Sequence, residues 1–352
     1  MHPADTKYAE LVKAGLPSQF CLTWCEEHDL DEVARRFGAD VETGLWADED
    51  DIEELEEEYP AELLQLVAVG DWTVALEPGG FQGSRSVVME ALSVGTRAFS
   101  VYWNVELDSA VSYAVDGVVR TTFDLVEVEG RTGADPSALD PLLREVGLRA
   151  GLTVPELKAR SLALGERLSG ALLIPDWLRH PRYVFKIVNP LPDELVPFAY
   201  RYPRAPFLDE PEFARILADP SPSMAAAVTR QVAVTVIAIA AIEDPLAEEV
   251  LRLLDHGERS TGERERLREL LIQDAGALME QAKLLGDGLE AERLTLAGKA
   301  LLVLDRTLEP LPTEAARSSA RMARGLHVPD RASYMRLVVL GNVIERISQY
   351  VD

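Results

Sequence analysis

The sequence predicts an α+β unit, a mostly antiparallel sheet of about six strands with covering helices, followed by an all-α bundle or short helical-repeat domain. Three observations carry this. Apolar residues alternate at period two in strand-length runs through the first 190 residues, with glycine-rich turns between them. Nine of the chain's twenty-one prolines fall within residues 181–222, a density that opposes long helices. From Ser223 onward, long segments with helical apolar spacing are separated by Gly and Pro. The expected boundaries are 1–190 for an α+β domain with an acidic N-terminal segment, 191–222 for a Pro-rich connector laid on that domain, and 223–352 for a helical domain.

In chain order, Thr6 caps a short helix that Gly15 and Pro17 end. Gln19–Glu26 alternates as a strand with Phe20, Leu22 and Trp24 on one face. Asp31 is placed as the N-cap of a helix over Leu30–Phe37, with Gly38 just past its end. A turn through Gly44 and Trp46 leads to a helix in which nine of the eleven residues from Asp48 to Glu58 are acidic, with Ile52, Leu55 and Tyr59 as a narrow apolar stripe. Leu63–Val69 and Trp72–Glu77 form a hairpin over Gly70-Asp71. A glycine-rich loop, Pro78–Gly83, feeds a helix from Ser84 to Leu92. Arg97–Val105 is a strand, and Ala110–Val115 with Val118–Phe123 a hairpin over Asp116-Gly117, a dipeptide suited to the required positive φ angles.

Thr153-Val154-Pro155-Glu156 reads as a capping box for a helix to Arg167. The stretch around Trp177 reads as a short helix, followed by an edge strand through Tyr183, with His180 as a partly buried packing residue. The helical region then offers six helices. Ser223–Ile242 is apolar nearly all round and is the expected central element. Later ones start at Asp244-Pro245, at a second capping box from Ser260, at Leu289, at Leu311 and at Asp330. No convincing repeat period joins them.

Composition restricts function. The net charge is −25, and residues 1–60 hold eighteen acids against four bases, so over half the excess lies in the first sixth of the chain. Direct binding to nucleic acid or to an anionic membrane is not expected, because both require clustered Lys and Arg. A basic protein partner is the electrostatic counterpart. No secretory signal is read at the N-terminus, and the apolar run 232–242 is shorter than the roughly 20 residues that span a bilayer, which points to the cytoplasm. Cys21 and Cys25 share one strand face about 13 Å apart at about 3.3 Å per residue, too far for a disulfide. They are expected as buried reduced thiols, and no metal site is assigned.

The loop Gly79–Arg85 is the remaining chemical feature. A glycine-rich loop before a helix can present backbone N–H groups to an anion. Gly83 is followed by Ser84-Arg85 rather than Lys and Ser or Thr, so the Walker pattern fails, and so does the dinucleotide fingerprint. Gly80, Gln82, Gly83, Ser84 and Arg85, with Asn104, Glu77 and Tyr102 on nearby strands, form the candidate ligand set. Ser93 lacks the context of a nucleophile elbow, and His256 and Glu258 lack zincin spacing. No catalytic residue and no cofactor is assigned.

Several stretches together carry a likeness: CLTW at Cys21–Trp24, WTVALEPGGFQGS at Trp72–Ser84, SVYWNV at Ser100–Val105, SYAVDGVVRTTFD from Ser112 and LSGALLIPDWL from Leu168. They resemble an uncharacterised domain-of-unknown-function family common in high-GC bacteria, over about residues 6–190. The resemblance implies no catalytic residue and no cofactor, and loosely fits accessory or conflict-related roles.

The function expected from all of this is a non-enzymatic protein-interaction module, in a bacterial conflict, immunity or defence setting. Its acidic surface (Asp48, Glu49, Asp50, Asp51, Glu53, Glu54, Glu56, Glu57 and Glu58) would steer a basic partner. The alternative is an enzyme or small-anion-binding protein with its site at the Gly79–Arg85 loop. Nine acids on one short helix are too few to mimic DNA.

Overall fold

The computed structural model describes residues 8, 9, 11, 12, 16, 19–173, 180–192, 194–202, 204–242, 245–256, 261–328 and 330–349. The expectations for Thr6, Gly15, Pro17, Trp177, Asp244, Gly257 and Ser260 lie outside the described residues. The chain divides into two units, Met1–Asp193 and Glu194–Asp352.

The first unit is built on one eight-stranded antiparallel sheet. Its strands are β1 (Phe20–Cys25), β2 (Asp40–Ala47), β3 (Leu63–Val69), β4 (Trp72–Pro78), β5 (Arg97–Trp103), β6 (Ser109–Val115), β7 (Val118–Phe123) and β8 (Arg182–Lys186), in the order β2-β8-β3-β4-β1-β5-β6-β7. Among the described residues, α1 (Leu30–Phe37), α2 (Glu49–Glu58), α3 (Ser86–Leu92), α4 (Asp140–Val146) and α5 (Val154–Ser169) accompany them.

The sheet has eight strands against about six expected; β8 is the strand read through Tyr183, and β2 was not foreseen. The Gly44–Trp46 segment is strand rather than turn: β2 pairs with β8 through Leu45↔Val184, Trp46↔Tyr183 and Ala47↔Arg182. A partner some 140 residues away overrides local turn chemistry here, as strand propensity is largely context. Gly44 serves close approach, since a Cβ there would meet Phe185 Cε1 at 2.7 Å and the Tyr183 hydroxyl at 2.8 Å. Strand β8 is interior, between β2 and β3, and β2 is the edge. His180 is exposed rather than partly buried.

Successive side chains of a strand point to opposite faces, and registered partners share a face. On one face Leu22 lies between Leu76 and Val101, and Trp24 between Val74 and Phe99. These join Phe20, Trp72 and Trp103 in a core completed by Tyr8, Leu11 and the α5 residues Leu157, Leu162 and Leu164. Phe20 meets Trp103 edge-on, with ring centroids 4.1 Å apart. The capping box that opens α5 is formed, with Thr153 N donating to Glu156 Oε2 at 2.8 Å. Asp116 and Gly117 both take positive φ, 52° and 72°, in the β6–β7 hairpin. The N-cap of α1 is Asp29 rather than Asp31; its carboxylate accepts from the amides of Asp31 and Glu32.

The second unit contains α6 (Phe198–Arg201), α7 (Pro211–Ala218), α8 (Ala225–Ala240), α9 (Pro245–His256), α10 (Thr261–Leu285), α11 (Leu289–Thr307), α12 (Pro312–Arg324) and α13 (Arg331–Ser348). Residues 194–222, most of the expected Pro-rich connector, fall within the second unit. They carry α6, α7 and 3-10 turns, and Phe207, Leu208, Phe213 and Ile216 enter the core of the second unit with Val228, Val232 and Val236 of α8. The prolines there open elements: Pro206, Pro211 and Pro222 occupy first-turn positions, where a missing N–H breaks no helical bond. Among the described residues, Pro222–Ala240 is long and apolar enough to cross a bilayer, 19 residues at mean hydropathy 1.6. Half of its apolar window is buried inside the protein, which is how the core helix of a helical unit also reads.

Candidate functional site

The second sheet face of the first unit is polar near β1. Register places Glu77, Cys21 and Tyr102 in one row across β4, β1 and β5, and Ala75, Thr23 and Ser100 in the next. Thr23 Oγ1 donates to Ser100 Oγ at 3.1 Å, and Cys21 Sγ lies 3.3 Å from the same oxygen. All four of Cys21, Thr23, Ser100 and Glu77 are buried.

The loop after β4 closes over this row. Glu77 Oε1 accepts from Gln82 N and Oε2 from Gly83 N, both at 2.7 Å. The loop's backbone amides are thus occupied by the chain's own carboxyl group. Burial pushes the Glu77 carboxyl up to about 7, against the two amides, which pull it down. Burial also pushes the Cys21 thiol up, and the neighbouring Glu77 adds to this, so a thiolate is disfavoured. Cys25 is a second free buried thiol, raised to about 12 chiefly by burial, that donates to Leu92 O at 3.4 Å.

Each residue of the loop set has a place in this geometry. A Cβ on Gly80 would lie 2.9 Å from Glu77 Cβ. On Gly83 it would meet Thr23 Oγ1 at 2.2 Å, Glu77 Oε2 at 2.9 Å and Cys21 Sγ at 3.2 Å, so this glycine exists because the polar row comes up against the backbone. Gly83→Ala is therefore expected to lower stability by about 1–3 kcal/mol through overpacking, read as a lower urea midpoint, with part of the loss relieved by Thr23→Ala. Ser84 is not the helix cap: a 3-10 turn over Gln82–Ser84 intervenes, and Ser84 Oγ donates back to Phe81 O at 2.7 Å. Arg85 is the N-cap position of α3, with no side-chain cap bond. Its guanidinium donates to Gln82 Oε1 at 2.5 Å and to Leu191 O at 2.7 Å. Asn104 spends its side chain on its own turn, Oδ1 accepting from the amides of Glu106 and Asp108 at 2.9 Å. The Tyr102 ring lies 6.4 Å from that of Phe81 in the loop.

The acidic set occupies α2. Asp48 caps it, accepting from Asp51 N at 3.2 Å, and Ile52 anchors it in a small core with Ala47, Leu63 and Val184. Asp48, Glu49, Asp50, Asp51, Glu53, Glu54, Glu57 and Glu58 are exposed; Glu56 is half-buried and accepts from Gln65 Nε2 at 2.7 Å. Among the described residues none of the nine forms an ion pair with Lys or Arg. Arg182 is buried, and that burial lowers its pKa although Glu56 and Glu49 act to raise it. Acids in the first turn suit the helix dipole, but Glu56, Glu57 and Glu58 in the last turn oppose it, and the last turn itself holds no base. Like charges four apart add roughly 0.2–0.5 kcal/mol of repulsion per pair.

Sequence reasoning missed the neighbour of this helix. On edge strand β2, Trp46 is 64% exposed and Leu45 42%, with Trp46 stacked on Tyr183 at 5.3 Å between centroids. Neither could be placed while this segment read as a turn. The polar row was partly visible: Cys21, Thr23 and Cys25 alternate with the apolar residues of β1, and Glu77 is the sole charge in β4.

Fold and site together define a two-unit α+β protein whose first unit is an antiparallel sheet, apolar on one face and closed over a buried carboxylate on the other. The chain belongs to the DUF6461 family, a family of unknown function, whose model matches residues 5–193. No curated protein and no solved structure matches the chain.

Proposed function

We propose that the protein is a non-enzymatic interaction module that binds a basic protein segment along α2 and the adjoining edge strand, in a bacterial conflict, immunity or defence setting. The observation that carries this reading is the excess charge of α2: eight exposed acids, none of them in an ion pair among the described residues. Elsewhere in the first unit several acids are paired, as in Arg97–Glu26 and Arg36–Glu32. Lys or Arg from a partner would remove repulsion that the free protein tolerates. Trp46 would supply the aromatic anchor that interfaces favour, and electrostatic steering would raise the association rate. The loop site is the weaker reading, because Glu77 already occupies the amides of Gln82 and Gly83.

The test is capture of partners from the native host with the full chain at low salt and at about 1 M salt, where the Debye length shrinks to about 3 Å. A variant carrying Asp50→Asn, Asp51→Asn, Glu53→Gln, Glu54→Gln, Glu57→Gln and Glu58→Gln runs in parallel with Trp46→Ala. A basic partner held at low salt, released at high salt and lost by both variants is the expected result. Partners that ignore salt and both variants, or no partner at all, would remove the basis of the proposal.

A further inference from the structure

The helical unit contains a groove of about 880 Å³, within the roughly 300–1,000 Å³ typical of small-molecule sites. It lies where the C-terminal ends of α8 and α10 meet the N-terminal half of α11. Its concavity has a simple origin in sequence: Ala240, Ala241, Ala282 and Ala291 stand where larger side chains would fill the space. Ile239, Met279 and Leu296 add apolar wall, and Leu289, 85% exposed, stands at the lining. Ala241, which ends α8, sits at φ 46° in the left-handed region, strain that a residue with a Cβ seldom bears.

Polar groups are few and placed around the apolar floor. Lys283 comes from α10 and Lys299 from α11; both are exposed, and neither has an ion-pair partner among the described residues. Arg293 also lines the groove but is held by Glu290, Nη2 to Oε1 at 2.8 Å. The acids of the lining are Asp287, in the turn between the two helices, and Glu292. Helix α11 opens here at Gly288, which offers no side chain to cap the first-turn amides, so its positive end adds to the two lysines. Against a chain of net charge −25, this groove carries three basic residues and His327 to two acids.

The geometry points to a binding site for a small amphiphilic anion, an apolar alkyl or aryl body with one carboxylate, its body on the alanine-lined floor and its head toward Lys283 and Lys299. This is independent of the surface on α2, so failure of either reading leaves the other standing.

The probe is dodecanoate, titrated calorimetrically into the full chain below its aggregation concentration, with dodecanol and dodecylammonium as neutral and cationic counterparts. Saturable one-to-one binding of dodecanoate is expected, at least about tenfold tighter than either counterpart. The exposed double variant Lys283→Glu, Lys299→Glu should weaken it about tenfold or more, and Leu296→Trp should abolish it by filling the groove, with circular dichroism confirming that each variant is folded. Absence of saturable binding by the wild type overturns the proposal. So does ammonium binding as tight as carboxylate, or affinity that survives the charge reversal, whose surface positions leave folding intact.

Discussion

Replacing Glu77 with alanine is expected to lower stability by roughly 3–5 kcal/mol near pH 5, and by much less near pH 8. The loss has two parts. The amides of Gln82 and Gly83 lose their acceptor, and a fully buried side chain beneath the loop is removed. The pH dependence follows from the carboxyl itself, pushed up from 4.5 to about 7 chiefly by burial. Between those values the unfolded chain has released its proton while the folded one retains it. The unfolded state then binds fewer protons, so stability falls as pH rises through this window, by roughly 3 kcal/mol in total, and the cost is constant above it. Cys21, raised by burial, keeps its proton throughout. The alanine variant lacks this titration, so its deficit relative to wild type shrinks by about the same amount from pH 5 to pH 8. Glu77→Gln, which keeps one acceptor and does not ionise, should show a smaller deficit at low pH and the same flattening. Urea unfolding of the three proteins at both pH values is the measurement; a deficit for Glu77→Ala that is equal at the two would sink the account.

Trp24→Ala is expected to cost about 3–5 kcal/mol, and it should also reverse the sign of a second substitution. The indole is fully buried between β1 and α5, where Gly165 leaves room for it. A Cβ at Gly165 would lie 2.6 Å from Cζ2 and 2.7 Å from Cε2 and Cη2 of the ring. Glycine inside a helix costs about 1 kcal/mol against alanine, a cost this helix bears so that the ring can lie on its surface. In the wild type, Gly165→Ala should therefore destabilise by about 1–3 kcal/mol, since overpacking outweighs the gain in propensity. In the Trp24→Ala background the ring is gone and the propensity remains, so the same change should stabilise by up to about 1 kcal/mol. A double-mutant cycle from urea midpoints reads the coupling. If Gly165→Ala stabilises the protein that still carries Trp24, the close approach is not what keeps the glycine.

The acidic helix was legible because its charges are contiguous and its stripe of Ile52, Leu55 and Tyr59 has helical spacing. What its neighbours would be was not, since β2 and β8 find each other across more than 130 residues. The glycine loop was legible as a turn, yet its contents were not. Glu77, Gly80 and Gly83 lie within seven residues, but Gly83 is glycine because Cys21 and Thr23 of β1 come up against it, and Gly80 because Glu77 folds back beneath it. The prolines of 181–222 illustrate the same limit: read locally they break helices, and in the fold several of them start helices instead.

The sequence by itself determined what depends on neighbours a few residues apart. The Asp116-Gly117 hairpin, the capping box at Thr153, the period-two face of Phe20, Leu22 and Trp24, and the change to helices in the second half all rest on backbone preference and apolar spacing. The tertiary structure alone decided which strand stands at the edge, which exposes Trp46 beside the acids of α2, and which carboxylate fills the loop. The physical reason is one of range. Turn and cap energies are set within a few residues, whereas strand pairing, burial of a charge and the space left for a glycine are fixed by parts of the chain that meet only on folding.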